Sequence, residues 1–379
     1  MGSKVRLAGK VALGLGLGVL GAWCWALAPG LSVVAGRRKP VGLSLHPYAH
    51  RGLHDAGSGM ETTNPNSGQA AYLHRIHDCL KVASGRPLGR HASAPTNPRR
   101  VVAPENSLAA FEAACRAGYG IELDVHLSRD GQVVVIHDGD LQRVAGVNRA
   151  VADLTYDQLR KIPLCPSPAE ALEPEEEIPG SADHDGGSER EGEDGSPNDP
   201  EMQHVPLLSE VLALVDGRVP LVVEIKMDQG LDRELMRRTD ALLSKYQGPY
   251  VIESFNVLAL AWYRVHHPGI TRGQLVAPYH GRVDTCSSAL RWMAGSLLFN
   301  WLGRPDFVAC EWHSGHSLPM RLYRFLGGTP IAWTVRSERA QEEASADFDG
   351  IIFESYLPES RTSYTGLRPK RPGLSPRVP

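Results

Sequence analysis

The stretch 119–138, YGIELDVHLSRDGQVVVIHD, constrains the fold of this chain more than any other. Apolar residues at 121, 123 and 125 alternate with Glu122, Asp124 and His126, which is the period-2 pattern of a β-strand. Glu122 and Asp124 therefore point the same way, about 7 Å apart at Cα. The turn sequence SRDG at 128–131 then sends a second apolar strand back towards His137. Carboxylates so placed suit a hard divalent cation, and an adjacent histidine suits proton transfer. For the segment alone, a hairpin with a solvated acidic face is the alternative.

Two other short strands carry residues that could complete this cluster. The first, at 48–52, ends on His50 and Arg51, and the second, at 221–226, places Glu224 and Lys226 on one face by the same period-2 rule. Either pair alone would be an ordinary structural or surface feature. We expect both pairs to join Glu122, Asp124 and His137, because functional residues of parallel barrels gather at the carboxyl ends of the strands.

Strands and helices alternate regularly from residue 231 to residue 353, which indicates parallel pairing. Together with the earlier segments they give nine strand candidates. The predicted fold is an α/β TIM barrel of eight strands, so one candidate is either peripheral or not a strand. Phe255 and Trp333 also fall at strand ends and could form an apolar wall against the substrate, with barrel packing as the alternative for Trp333.

The ordered motifs resemble a known enzyme family. HRG, PENSLAAFEAACRAGYGIELDV, SRDGQVVVIHD and VEIK follow the order found in the glycerophosphodiester phosphodiesterase family, and the similarity extends from about residue 48 to residue 358. The resemblance implies a TIM barrel of the phospholipase C-like phosphodiesterase type that hydrolyses glycerophosphodiesters to glycerol 3-phosphate and an alcohol. It further implies His50 and His137 as the general acid and base, Glu122, Asp124 and Glu224 as ligands of one divalent cation, and Arg51 and Lys226 as partners of the substrate phosphate.

The chemistry of these side chains agrees with that assignment. Three carboxylates suit Ca²⁺ or Mg²⁺ better than Zn²⁺, because no cysteine or paired-histidine motif joins them. A cation with Arg51 and Lys226 can stabilise charge on the phosphoryl oxygens, and two histidines of opposite protonation state can move the protons. The alternatives are lysophospholipase D-type hydrolysis of lysophospholipids and a non-catalytic phosphodiester-binding barrel.

Departures from the family pattern lie in the connections. About fifty residues separate HRG from PEN, so 53–102 is predicted to be an insertion, either a lid or a surface excursion. A second insertion, about 165–203, contains thirteen acidic residues and one arginine between 170 and 201 and is predicted to be loosely attached. Glu354 replaces the family's usual aspartate after the last strand. None of these departures is expected to touch a catalytic position.

The N-terminal residues 1–40 predict a membrane anchor. Residues 11–36 carry no charge, have three basic residues on each side, and are numerous enough to span a bilayer. A cleaved signal peptide is the alternative. We expect a single-pass anchor in a bacterial plasma membrane, with the side of the catalytic domain left open by the basic residues on both flanks. A second apolar segment, 288–302, predicts a helix that rests on the bilayer or packs against the barrel.

Charge and cysteine content argue against a nucleic-acid-binding protein and against a disulfide-rich protein. The net charge is −3, the acidic insertion alone contributes −12, and most of the balancing positive charge flanks the anchor or lies in the basic, Pro-rich tail 359–379. The folded body is thus nearly neutral, which argues against nucleic acid as a partner, and no protein partner can be inferred. Five cysteines lie outside the leader, and this odd number favours free thiols.

Overall fold

A closed parallel β-barrel is the centre of the molecule. The computed structural model describes residues 17–18, 20–30, 43, 46–54, 72, 75–76, 78–79, 103–164, 203–227, 230–277 and 295–358. In chain order the strands are β1 (Tyr48–Ala49), β2 (Gly120–Leu127), β3 (Val133–Val135), β4 (Asp140–Leu141), β5 (Val147–Ala150), β6 (Leu221–Ile225), β7 (Tyr250–Ser254), β8 (Arg272–Val276), β9 (Phe307–Glu311), β10 (Thr329–Val335) and β11 (Gly350–Phe353). β1 pairs in parallel with both β11 and β2, which closes the barrel.

The predicted eight-stranded TIM barrel is confirmed, and the ninth strand candidate is peripheral. β3 lies antiparallel to β2, with Val125 opposite Val135, and it has no second neighbour in the sheet. The β2–β3 hairpin was the segment that suggested an acidic cluster beside a histidine. Ile136 donates its backbone N–H to the carbonyl of Asp124, so the chain leaving β3 stays beside the end of β2.

Helices cover the outside of the barrel. They are α1 (Leu108–Ala117), α2 (Gln142–Ala145), α3 (Tyr156–Leu159), α4 (Leu208–Val215), α5 (Arg233–Leu243), α6 (Val257–His266), α7 (Asn300–Gly303), α8 (Leu318–Phe325) and α9 (Glu338–Ala344). α1 begins after Ser107, whose hydroxyl accepts from the N–H of Ala110, and it ends at Gly118 with φ of 78°. The strands are buried on both faces because helices pack on one face and the barrel interior fills with side chains on the other.

A small second core stands beside β3. The strands β4 and β5 form an antiparallel pair, and a 3-10 helix (Val151–Asp153) and α3 follow them. Their apolar side chains, which include Leu141, Leu154 and Leu159, pack with Val134 and Ile136. The β4–β5 pair is additional to the nine strand candidates of the sequence.

Two segments, the insertion 53–102 and the apolar segment 288–302, differ in part from their predicted structures. Within the insertion 53–102, Tyr72, Ile76 and Cys79 are helical and buried in the main core, so this part is not a surface excursion. The predicted continuous helix over 288–302 is wrong within its described residues. Residues 296–299 form a turn in which Leu297 is buried and has a left-handed φ of 60°, which a right-handed helix does not allow, and α7 follows the turn.

Among the described residues, no helix combines the length and the apolar character that crossing a bilayer requires. Residues 1–16, 19 and 31–40 of the predicted anchor segment, most of the acidic insertion and the tail 359–379 lie outside the described part of the chain. Cys79, Cys115 and Cys310 are free thiols, as predicted, and Cys24 of the leader is a free thiol as well.

Candidate active site

Three buried carboxylates lie together at the carboxyl ends of β2 and β6. Asp124 and Glu224 are opposite each other in the parallel register, and Glu122 is two residues before Asp124 on the same face. One oxygen from each side chain lies within 4.8 Å of the other two. Lys226 donates from Nζ to Glu224 Oε2 at 2.8 Å and lies 3.0 Å from Asp124 Oδ1. The structure thus brings together the four residues that the period-2 pattern placed on one side of these strands.

His50 enters this cluster from the short strand β1. Its backbone N–H donates to the carbonyl of Phe353 at 2.9 Å, which fixes its position between β11 and β2. Its Nδ1 lies 3.0 Å from Glu354 Oε2, and its Nε2 lies 4.0 Å from Glu122 Oε2. The Glu354 carboxylate can only accept, so it holds the proton on Nδ1 and leaves Nε2 facing the three carboxylates.

Arg51 is held by a network around the start of α1. Its Nη1 donates to Glu105 Oε1 at 2.8 Å, its backbone N–H donates to Glu122 Oε2 at 3.0 Å, and its Nε has no hydrogen-bond partner in the described structure. Asn106 Nδ2 donates to Asp124 Oδ2 at 2.8 Å. The glycine of HRG is required here, because a Cβ on Gly52, which has φ of 82°, would lie 2.9 Å from the Cβ of Ala110.

His137 faces the cluster from the end of β3. Its Nδ1 lies 2.7 Å from Asp138 Oδ1, and Asp138 Oδ2 accepts from Arg143 Nε at 2.6 Å. Arg143 in turn donates two bonds of 2.7 Å to Glu105, which joins this network to Arg51. A groove of about 580 Å³ lies here, lined by His137, Asp138, Gly139, Asp140, Gln142, Arg143 and Lys226. His137 and Lys226 therefore share one groove, at the end of the strands where the carboxylates lie.

Burial and neighbouring charges shift the pKa values of His50 and the three carboxyl groups in different directions. Burial, then the charge of Arg51, lowers the pKa of His50 to about 4 despite Glu354, which keeps the imidazole neutral near pH 7. Burial raises the pKa of Glu224 to about 7 and that of Glu122 well above its ordinary value. Burial also opposes ionisation of Asp124, but the charges of Lys226, His137 and Arg51 bring its pKa well below its ordinary value.

The three carboxylates form a donor set that fits a divalent cation. They are buried, close enough to share one ion, and offer only oxygen ligands, which is the chemistry of Mg²⁺ and Ca²⁺ sites. A bound cation would also counter the burial that keeps Glu122 and Glu224 protonated. Glu253, opposite Glu224 in the register, is a fourth buried carboxyl whose pKa burial raises well above its ordinary value.

Phe255 and Trp333 contact each other at the same end of the barrel. Their ring centroids are 5.6 Å apart in an edge-to-face arrangement, and 47% of Phe255 is exposed. Trp333 packs at the edge of the inner core cluster. The two rings thus form one aromatic surface, and their contact with substrate stays a prediction.

The sequence missed the residues that orient the histidines and the arginine: Glu105, Asn106, Asp138, Arg143 and Glu354. Glu105 and Asn106 belong to the PEN motif and Asp138 follows His137 directly, so the motifs themselves were the available signal. The expectation that Glu354 touches no catalytic position is wrong. Its longer side chain reaches Nδ1 of His50, because β11 and β1 are neighbours in the barrel.

A closed parallel barrel with its polar residues at the carboxyl ends of the strands is the arrangement of TIM-barrel enzymes. The sequence model of the glycerophosphoryl diester phosphodiesterase family matches residues 94–354. The chain therefore belongs to that family. His50 and Arg51 precede the matched range, and the fold brings them back to it through β1.

Individual proteins give a consistent comparison. A glycerophosphodiester phosphodiesterase of Bacillus altitudinis is 34% identical over 34% of this chain and 42% of its own length. A glycerophosphodiester phosphodiesterase of Caldanaerobacter subterraneus is 29% identical over 66% of this chain and 88% of its own. The structure of an Oleispira antarctica phosphodiesterase in complex with the product sn-glycerol-3-phosphate superposes with a TM-score of 0.52 and 20% identity, covering 83% of this chain and 95% of that one. This last similarity concerns the fold.

Proposed function

We propose that this protein hydrolyses glycerophosphodiesters to glycerol 3-phosphate and an alcohol. The observation that carries the proposal is the convergence of two imidazoles, three carboxylates and two cationic side chains at one end of the barrel. Each group has a task in phosphodiester hydrolysis, and the family membership supports the same reaction. The product complex of the Oleispira antarctica protein supports glycerol 3-phosphate as a product.

The carboxylates Glu122, Asp124 and Glu224 would hold one Mg²⁺ or Ca²⁺ ion. When bound, the ion supplies positive charge that polarises the phosphoryl oxygens and steadies the charge that develops on them. Arg51 adds a guanidinium whose Nε makes no hydrogen bond with the described residues and lies 3.7 Å from Asp124 Oδ2, and Lys226 adds a point charge beside the groove. Both charges favour a phosphate at the cluster. Arg51 is oriented for this task by Glu105.

The two histidines divide the proton transfers. His50 is neutral near pH 7, and its Nε2 can take the proton from a water molecule that attacks the phosphorus, while Glu354 keeps the other proton on Nδ1. The water oxygen becomes a phosphate oxygen of glycerol 3-phosphate as the bond from phosphorus to the alcohol breaks. His137 is oriented by Asp138 and lines the groove, so it can give a proton to the departing alkoxide. The proton acceptor and the proton donor thus come from different parts of the chain, His50 after β1 and His137 after β3.

The N-terminal segment would anchor the enzyme to a membrane in a single pass. The support is the charge-free run at 11–26, which follows three basic residues; Leu27, the next residue of the predicted span, is buried in the barrel core. Sedimentation of the full chain with phosphatidylcholine vesicles, resistant to high salt, tests this anchor. Release of the chain by salt would reject it.

The proposed reaction is tested by removing each histidine separately. His50→Ala and His137→Ala should each lower the rate of glycerol 3-phosphate release from glycerophosphocholine by about 10²- to 10⁴-fold, the usual contribution of a general acid or base. His316→Ala, which removes an exposed histidine far along the chain, is the matched control and should retain the wild-type rate. Thermal melting confirms that each variant folds. Wild-type turnover in either site variant would reject the assignment.

The same assay separates the proposed substrate class from the alternative. Lysophosphatidylcholine tests lysophospholipase D-type hydrolysis, for which the exposed ring of Phe255 is the favourable feature. Faster hydrolysis of lysophosphatidylcholine than of glycerophosphocholine would move the assignment to lysophospholipids. Binding of both compounds with no hydrolysis would instead support the non-catalytic barrel.

A further inference from the structure

The end of the N-terminal helix is built into the outer wall of the barrel. Residues 17–18 and 20–27 are helical, and Leu27 is fully buried in the main core. Arg304, which follows α7, donates from Nη1 to the carbonyls of Trp25 and Ala28 at 2.6 and 3.1 Å. We name this contact of the last helical turn with Arg304 and α7 the joint.

Arg304 suits the joint for physical reasons. The last carbonyls of a helix lack partners within the helix and carry partial negative charge, so a guanidinium there is favourable. The same guanidinium lies 4.6 Å from the centre of the Trp25 ring, which adds a cation–π contact. Trp25 also stacks on Trp301 of α7, with ring centroids 6.0 Å apart. The joint therefore fixes the direction of the helix relative to the barrel.

The helix before the joint is apolar and exposed. Its described residues from 17 to 22 are all exposed, and they include Leu17 and Leu20. At about 100° per residue, these positions cover a little more than half of the helix circumference. An exposed apolar face of this width needs an apolar surrounding. Trp25 and Trp301, which are 58% and 40% exposed, mark the level at which that surrounding would end.

The described end of the helix leaves no room for a spacer. Residues 20–27 are helical without a break, and Leu27 at their end is already packed in the barrel core. The exposed residues Leu20 and Trp25 thus lie within two helical turns of the barrel. If the apolar helix enters a bilayer, the joint lies at the membrane surface. Tryptophan side chains prefer this interfacial region.

The joint lies at the end of the barrel opposite the candidate site. α7 and Arg304 come directly before the start of β9, and Arg264, near the end of α6, donates to the carbonyls of Trp301 and Leu302 at 2.8 and 2.9 Å. The carboxylates and His50 lie at the other ends of the strands. From this geometry we infer that the joint holds the barrel against a lipid bilayer with the strand starts facing the lipid and the active-site mouth facing water. This inference rests on the proposed membrane anchor.

The orientation bears on the substrate. A mouth that faces away from the bilayer receives its substrate from the aqueous phase, which favours water-soluble glycerophosphodiesters over lipids that stay in the membrane. Val265, which is 75% exposed near the end of α6, extends the apolar surface beside the joint.

Two tryptophans at opposite ends of β9 allow a direct test. Trp301 precedes the strand and Trp312 follows it, and the five residues between them in β9 span about 16 Å. The full chain is reconstituted in phosphatidylcholine vesicles with brominated acyl chains, which quench nearby indoles. The contribution of each tryptophan is the difference in fluorescence between wild type and Trp301→Phe or Trp312→Phe. The Trp301 contribution should be quenched and the Trp312 contribution retained.

Other outcomes overturn the inference in distinguishable ways. Quenching of Trp312 without quenching of Trp301 would place the mouth against the bilayer. Failure of the chain to enter vesicles would reject both the anchor and this orientation. The proposed hydrolysis is tested independently of them, by the turnover of glycerophosphocholine in detergent.

Arg304→Gln should remain in the vesicles but lose the quenching of Trp301, because the end of the helix is no longer held against the barrel. The matched control is Arg324→Gln, which removes from α8 a guanidinium that donates to Asp347. Unchanged quenching in Arg304→Gln would reject this role of Arg304.

Discussion

Arg51 at the active-site end of the barrel and Arg304 at the joint are both buried, but they contact different groups and differ in the direction of their pKa shifts. Both have left-handed backbone, with φ of 57° and 46°. Arg51 lies among carboxylates, which raise its pKa above the ordinary value although burial lowers it. Arg304 meets helix-end carbonyls and an indole ring, and burial with the nearby Arg264 lowers its pKa.

The difference teaches that burial of a charge does not by itself identify a catalytic group. The carboxylates around Arg51 are themselves the predicted ligands of a cation, and Arg51 Nε still has an unused donor. Nη1 of Arg304 donates to two backbone carbonyls, so Arg304 acts as a structural contact between the helix and the barrel. An unused donor beside acidic ligands marks the reactive end of the barrel.

Replacing each arginine by lysine should give the largest contrast. Arg51→Lys should lower kcat/KM for glycerophosphocholine by about 10²- to 10³-fold, because lysine cannot bond Glu105 and a phosphate oxygen with the same planar fork. Arg304→Lys should leave the turnover of this soluble substrate unchanged. Steady-state kinetics in detergent measures both. Equal losses in the two variants would mean that Arg51 acts only in folding.

Glu354 allows a smaller and sharper test of the mouth. Glu354→Gln should lower kcat by about 10- to 100-fold with little change in KM, because the ring of His50 loses the acceptor that orients it. Glu354→Asp restores the aspartate that the family usually has, and it should recover most of the rate. A purely structural role for Glu354 would instead lower thermal stability in both variants without a separate effect on kcat.

The mouth could be predicted from sequence to the extent that local patterns control it. Alternation along β2 and β6 placed Glu122, Asp124, Glu224 and Lys226 on the inner faces, and parallel pairing brought the two strands together. The nine strand candidates also showed that one was surplus to the barrel, although not that it was β3. These features follow from periods of two residues and from chain order.

The joint could not be predicted in that way. Arg304 contacts Trp25 across 279 residues, and neither position belongs to a repeating pattern. The bond between Glu354 and His50 was missed for a related reason, since it depends on closure of the barrel between its first and last strands. The broken helix before α7 depends on burial of Leu297, which competes with the helical preference of its apolar neighbours.

The most direct test of the account is metal-dependent release of glycerol 3-phosphate from glycerophosphocholine. The wild-type chain should lose activity in EDTA and regain it when Mg²⁺ or Ca²⁺ is added in excess. Asp124→Asn should require a higher ion concentration or fail to recover, because one of the three carboxylate ligands becomes neutral. Full activity in EDTA, or no release under any metal condition, would contradict the central claim that these carboxylates hold a catalytic cation.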